Sequence, residues 1–405
     1  MTSEPTSAFV WIWLPDADEP VVCGRLDDDG ARISFVYARS YREREDAIAI
    51  YEPELPLVPG EAFAASGDRL PLCIDDAMPD SWGRRLVNHR LGSPTAELPD
   101  LPYLLESGSD RIGALDFQLS SEAYVAREAA NPSIEDLATA SGQIEAGEPL
   151  DPALESALLR GTSIGGARPK ALVDQGERRL IAKFSSTTDL YPVVQGEFVA
   201  MELARRTGIT TAAVEITRAA GRYALLIERF DRHGNRRDHL VSALTVLGLT
   251  SYPEGRYATY VDLADQIRAR FVEADETLRE LFARISFNIL CGNTDDHGRN
   301  HAAFVRPDGL GLTPAYDLCP QGRTGQVANQ AMAFTRTGDR DSRTRLLIDA
   351  ADVYHLERRD AEDIVAGQVA AVNDEWDEVC DLAELTAVQR DGFLHHQFLN
   401  PHAFE

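Results

Sequence analysis

Two hydrophobic periods succeed one another along this chain. In the first 120 residues, a short apolar run over 9–14 and the alternation of Ile33, Phe35 and Tyr37 keep the two-residue period of half-buried strands. Asp27-Asp28-Asp29-Gly30 between them has the composition of a hairpin turn. Met78-Pro79-Asp80-Ser81-Trp82 reads as a capped helix start, leading into a basic helix to about His89. Between 120 and 160 the large apolar groups thin out, which predicts a boundary segment carrying one exposed helix.

From 160 to 230 strand and helix patterns mix. Strands are expected over 170–174 and 180–184 around Gln175-Gly176-Glu177, then a helix over 194–207 stopped by Gly208. A second strand pair, 212–217 and 223–230, turns at Gly221. Beyond 240 the three-to-four-residue period takes over. Leu278, Leu281, Phe282, Ile285 and Ile289 form the stripe of a helix over 276–289 with a buried face. The last 60 residues also read as helical. Strand-rich first and helix-rich later is an α+β order, and it predicts two lobes with a cleft between them.

The length of 405 residues allows two or three domains at about one per 150 residues. The composition, 44% hydrophobic and 26% charged, excludes a disordered or disulfide-stapled chain. Acids outnumber bases 66 to 40, for a net charge of -26, which works against direct binding of nucleic acid or anionic lipid. Five scattered cysteines without a C-x-x-C fit unbridged thiols in a reducing cytosol, with no zinc site. The first residues lack a secretory or membrane-spanning pattern, so the expected location is the cytoplasm.

Four segments carry chemistry. The strongest is Asn293-Thr294-Asp295-Asp296-His297-Gly298-Arg299-Asn300, directly after the 276–289 helix, followed by a hairpin signal at Pro307-Asp308-Gly309 and then Tyr316-Asp317. Phosphoryl transfer needs one carboxylate to orient the attacking hydroxyl and take its proton, and oxygen ligands to hold magnesium against phosphates. Asp295, Asn300 and Asp317 match the spacing with which protein-kinase-like folds supply them. Against this, a polar loop is common in a chain with so many acids. The second segment runs from Gly161 to Lys170, where small residues leave backbone N–H groups open to phosphate oxygens; it is neither a Walker loop nor G-x-G-x-x-G, and taken alone it reads more readily as a flexible surface turn. Third, Lys183 interrupts an apolar strand, and Glu197, placed in the first turn of the next helix, is its candidate partner. The bland reading is a snorkelling lysine. Fourth, 226–232 lies where strands give way to helices, as a kinase hinge does, although an ion-paired strand end would look the same.

Taken in order, these segments resemble the HipA family, the serine/threonine kinase toxins of bacterial toxin–antitoxin pairs. The resemblance rests on Ser163 to Lys170, Lys183, Glu228-Arg229-Phe230-Asp231-Arg232, Thr294 to Asn300 and Tyr316-Asp317. Asp80-Ser81-Trp82-Gly83-Arg84-Arg85 and Asp110 to Leu115 resemble the family's small N-terminal domain. The resemblance implies a two-lobed protein-kinase-like fold: an N-terminal subdomain over 1–120, a kinase N-lobe over 121–232 and an all-helical C-lobe over 233–405. It further implies Asp295 as catalytic base and Asn300 and Asp317 as magnesium ligands. Gly165, Gly166, Ala167, Arg168, Pro169 and Lys170 would close over the phosphates of ATP, and Lys183 would contact them. Glu228, Arg229 and Phe230 would frame the adenine, with His297, Gly298, Arg299 and Tyr316 completing the nucleotide site. Ser163 takes the position of the family's autophosphorylated serine. The implied partners are a HipB-like helix-turn-helix antitoxin, through which DNA is mainly reached, and a protein substrate such as an aminoacyl-tRNA synthetase; no membrane is implied.

Two features depart from the family pattern. Pro169 removes one N–H donor from the phosphate loop, and Asp296 sets a second carboxylate beside the base, either shifting its pKa or adding a metal ligand. The competing readings are a kinase-like fold acting on small molecules and a catalytically silent co-repressor bound to the antitoxin.

Overall fold

The computed structural model describes residues 5–92, 98–127, 131–146, 148–161, 168–186, 188–250, 254–323 and 325–405. The first strand segments pair into a five-stranded antiparallel sheet in the order Glu61–Ala62, Ile33–Tyr37, Val21–Asp28, Ser7–Ile12, Leu115–Gln118. Gly30 takes a positive φ of 91° in the turn after the aspartates. The Ile33–Tyr37 strand is covered more fully than simple alternation predicts, since Ser34 is buried along with Ile33, Phe35 and Tyr37. The Ser81–Arg90 helix begins where its cap was expected, with the Asp80 carboxylate accepting from the Gly83 N–H at 2.7 Å. It buries Trp82, Leu86 and Val87 against the same core.

The 120–160 segment differs from expectation. It holds two helices, Ile134–Ala146 and Pro152–Leu159, and both bury apolar residues: Leu137, Ala138 and Ala140 in the first, Ala157, Leu158 and Leu159 in the second. Small alanines pack closely without a conspicuous apolar stripe, so the pattern understated their burial.

A second antiparallel sheet runs Lys170–Gln175, Arg178–Phe184, Arg222–Glu228, Val214–Ala219. The Val193–Arg206 helix packs on it through Phe198, Val199 and Met201, and Gly208 comes after it at φ 91°. Helices fill most of the remaining chain, from Ala243–Leu247 to the 25-residue Arg358–Leu382. This part is not all-helical, however. Leu240–Ser242, Ala302–Arg306 and Gly309–Leu312 form a three-stranded antiparallel sheet.

The Ala274–Cys291 helix stands between two hydrophobic cores. Leu278, Leu281, Phe282, Ile285 and Ile289 enter one, while Phe287, Leu290 and Cys291 enter the other. Its C-terminal end is therefore enclosed, and the next loop starts from a fixed point. Gly292 ends the helix at φ 72°, and a Cβ there would lie 2.8 Å from the Gln397 carbonyl oxygen. Only glycine meets both constraints.

Candidate active site

The loop after the Ala274–Cys291 helix separates its two adjacent aspartates. Asp296 turns inward and is 2% exposed; its Oδ2 accepts from Asn288 Nδ2 at 2.8 Å, from the Tyr260 hydroxyl, and pairs with His301 Nε2 at 2.7 Å. Burial alone would raise its pKa, but His301 and the Tyr260 hydroxyl outweigh that and hold it below the ordinary carboxylate value. Asp295 turns outward and is exposed. Partial burial lifts its pKa, with Asp317 and Asp296 adding to the rise and His297 opposing it. The second carboxylate is thus an anchor of the loop, and the first is open to solvent.

The rest of the loop is fixed largely by its polar side chains. Asn293 Nδ2 donates to Asn288 Oδ1 at 2.9 Å, and His297 Nδ1 accepts from the Arg299 N–H at 3.3 Å to cap the Gly298–Asn300 turn. Gly298 lies against Leu244, where a Cβ would approach Cδ2 to 2.6 Å. Asn300 is buried, and the Tyr316 hydroxyl donates to the Arg299 carbonyl at 2.8 Å, tying the loop to the Tyr316-Asp317 segment.

Asp317 adopts φ 60°, a left-handed backbone uncommon outside glycine and frequent at functional positions. Lys183 Nζ pairs with the Asp317 carboxylate and, at 2.6 Å, with Glu197 Oε1. Burial works against the Lys183 charge, yet the two carboxylates prevail and hold it above the usual lysine range. Asp317 is in turn held low, mainly by Lys183 against the cost of burial. The lysine–glutamate pair expected from sequence is therefore present, though Glu197 sits one turn inside its helix rather than in the first turn.

Several expected residues have other duties. Lys170 is 1% exposed, and its ammonium pairs with Asp80 Oδ2 at 2.7 Å, a partner the sequence did not suggest. Arg168 pairs with Asp189 at 2.8 Å. Glu228 pairs with Arg178 at 3.1 Å between the two central strands of the second sheet. Arg229 donates its N–H to the Arg179 carbonyl, and its buried guanidinium binds Asp110, Asp231 and the Arg111 carbonyl. Its side chain belongs to the contact with the N-terminal sheet, in keeping with the ion-paired reading of that segment. Phe230 faces the site instead, with its ring 5.8 Å from Tyr316. Arg299 reaches Asp75 at 2.7 Å. Ser163, Gly165, Gly166 and Ala167 lie outside the described residues. Sequence reasoning missed Asn288, Tyr260 and His301, none of which carries a motif; the one signal was an asparagine among the apolar residues of the helix's last turns.

As a divalent-ion site, Asp317 and Asn300 offer a carboxylate and an amide oxygen, the hard donors that magnesium takes alongside phosphates and water. Among the described residues no cluster of three His, Cys, Asp or Glu could cage a metal by itself. The donor set therefore fits an ion shared with a nucleotide. No described helix is long and apolar enough to cross a membrane.

Comparison with known proteins supports the same frame. Residues 162–376 match the model of the HipA-like C-terminal domain, and residues 17–118 match that of the HipA N-terminal domain. A serine/threonine-protein kinase toxin HipA from Shewanella oneidensis is 32% identical over 184 residues, covering 38% of this chain and 42% of that relative. A putative kinase, Y4mE, from Sinorhizobium fredii is 27% identical over 327 residues, covering 74% of this chain and 75% of that one. The solved complex of Shewanella oneidensis MR-1 HipA with HipB and operator DNA aligns over 97% of this chain and 99% of its own, with a TM-score of 0.67 at 19% identity.

Proposed function

Because the chain belongs to the HipA family, its C-terminal family domain alone spanning more than half of the sequence, we propose that it is an ATP- and magnesium-dependent serine/threonine protein kinase. The observation that carries this reading is one constellation: exposed Asp295 on an anchored loop, Asn300 later in the same loop, and Asp317 joined to the Lys183–Glu197 pair. Asp295 orients the substrate hydroxyl and takes its proton. Asn300 and Asp317 hold magnesium, whose charge offsets that of the phosphates. Lys183, poised between two carboxylates, is the cation the phosphates meet, and Phe230 and Tyr316 supply an aromatic wall for the base. A silent co-repressor has no use for a complete set of these groups.

Regulation takes the family's form. Ser163 is the autophosphorylation site, where a dianionic phosphate would repel the nucleotide and disfavour the closed loop. The chain acts as the toxin of a toxin–antitoxin pair, with a HipB-like partner making most of the DNA contacts; the net charge of -26 supports that division of labour. Its substrate is a protein of the translation apparatus, an aminoacyl-tRNA synthetase being the type. The test is to incubate the purified protein with magnesium and ATP and map the modified peptides. Phosphate on Ser163 is expected; an unmodified chain that also fails to phosphorylate cytosolic protein would overturn the reading.

A further inference from the structure

Three carboxylates from six consecutive residues of the N-terminal part reach two separate pieces of the candidate active site. Asp75 Oδ2 lies 2.7 Å from Arg299, and Asp76 Oδ1 lies 3.7 Å from it, within the loop that carries Asp295 and Asn300. The other Asp76 oxygen accepts from the Ser242 N–H at 2.7 Å and the Thr245 hydroxyl at 2.8 Å, so it also holds the start of the Ser242-capped helix whose Leu244 packs on Gly298. Asp80 pairs with Lys170, the last residue of the glycine-rich segment. Between these ends, the Ala77 carbonyl accepts from the fully buried Arg111 at 3.0 Å, and the Arg111 carbonyl accepts from Arg229 at 2.7 Å. The Glu54 carboxylate receives the Leu72 and Cys73 N–H groups at 2.7 and 2.9 Å, which fixes the start of the segment.

The Asp80–Lys170 pair is the telling part. Burying both partners pulls each toward its neutral form, so the pair is a poor device for stability alone. Lys170 stands directly opposite Lys183 in the strand register, and like charges placed so repel each other. Each lysine is given its own carboxylate: Lys183 has Glu197 and Asp317, and Lys170 has Asp80. Asp317 also draws Lys170. A Lys170 released by Asp80 would therefore compete with the divalent ion for the Asp317 carboxylate.

We propose that the 75–80 segment is a positioning strap for phosphoryl transfer, setting the catalytic loop through Arg299 and keeping Lys170 off the metal-binding carboxylate through Asp80. This rests on the kinase reading. Asp75, Asp76 and Asp80 act through Arg299 and Lys170, so they are positioning residues. The strap makes the N-terminal domain part of the catalytic unit.

The test uses the full chain and reads binding as well as turnover. Asp80→Asn keeps an oxygen that can cap the Ser81–Arg90 helix but removes the charge; Asp80→Glu keeps the charge and disturbs the cap. Calorimetric affinity for ATP in the presence of magnesium should fall ~10-fold in Asp80→Asn, the usual scale for outer-shell losses, and should stay near wild type in Asp80→Glu. A purely structural role would shift the melting temperature of both and leave the affinity of the folded protein unchanged. Should Asp80→Asn not fold, Asp75→Asn, at a part-exposed pair, probes the other end: hydrogen exchange across 295–300 should quicken without nucleotide, and kcat should drop with little change in KM for ATP. Asp80→Asn binding as tightly as wild type, or Asp75→Asn exchanging like wild type, overturns the strap alone. A wild type that binds no nucleotide overturns the kinase reading, and the strap with it.

Discussion

Asp295 and Asp296 are neighbours of identical chemistry in opposite surroundings, the first exposed and the second buried among Asn288, Tyr260 and His301. Replacing Asp296 with Asn takes the charge from a buried site built for three donors, at a cost of about 3–5 kcal/mol. Chemical denaturation should register that loss, whereas Asp295→Asn should unfold like wild type and transfer no phosphate. The reverse ordering would mean that the roles are exchanged. The sequence resemblance put the base on Asp295 and left the part played by Asp296 open, because Tyr260 and His301 reach Asp296 through the fold and not through any motif. His239 gives a prediction with a pH sign. It is buried with Nε2 against the Ile50 carbonyl at 2.8 Å, and burial pushes its pKa down to about 4. The unfolded chain therefore binds the proton first, near pH 6.5, and the folded state takes it only near pH 4. Stability should be flat above pH 6.5 and fall by ~3 kcal/mol on acidification through that window. Melting His239→Gln beside wild type isolates the effect; parallel pH curves for the two proteins would refute it.

At the scale of elements, the long period-four helix, the capped Ser81–Arg90 helix and the strand pairs of the second sheet were legible, since each has a strong period and a marked end. Two parts were legible only in outline, as one exposed helix in the 120–160 segment and a hairpin at Pro307-Asp308-Gly309. The alanine-rich helices after residue 130 bury small side chains that leave little hydrophobic signature. The three-stranded sheet around the catalytic loop is built from strands of three to five residues, one of them some sixty positions from its partner. Such pairing depends on contacts no local window contains. The helix end that launches the catalytic loop carries its own prediction. Gly292→Ala should cost about 1–2 kcal/mol for its left-handed backbone alone, with more from the clash at Gln397. A thermal melt unchanged by that substitution would contradict the account of a rigidly launched loop.

At the scale of the whole molecule, the N-terminal sheet is joined to the rest through buried charge as much as through the apolar core. Asp231 accepts from Arg229, Arg232 and the Gly113 N–H, while Asp110 pairs with Arg229 at 2.8 Å and Arg232 at 3.1 Å. Asp231→Ala would leave two buried guanidiniums to share the Asp110 carboxylate and should cost about 3–5 kcal/mol, read as a lower urea midpoint. The sequence showed this cluster as a hinge-like run and could not assign its partners, which lie more than a hundred residues upstream. Its charges bind the domains, and the candidate chemistry sits nearby on Asp295, Asn300, Asp317 and Lys183. The most direct test of that chemistry compares wild type with Asp295→Asn for transfer of labelled phosphate from magnesium–ATP, with nucleotide affinity measured on both. Transfer by the wild type alone, at equal affinity, is the predicted result. Equal transfer by both proteins, or no nucleotide binding by either, would contradict the account.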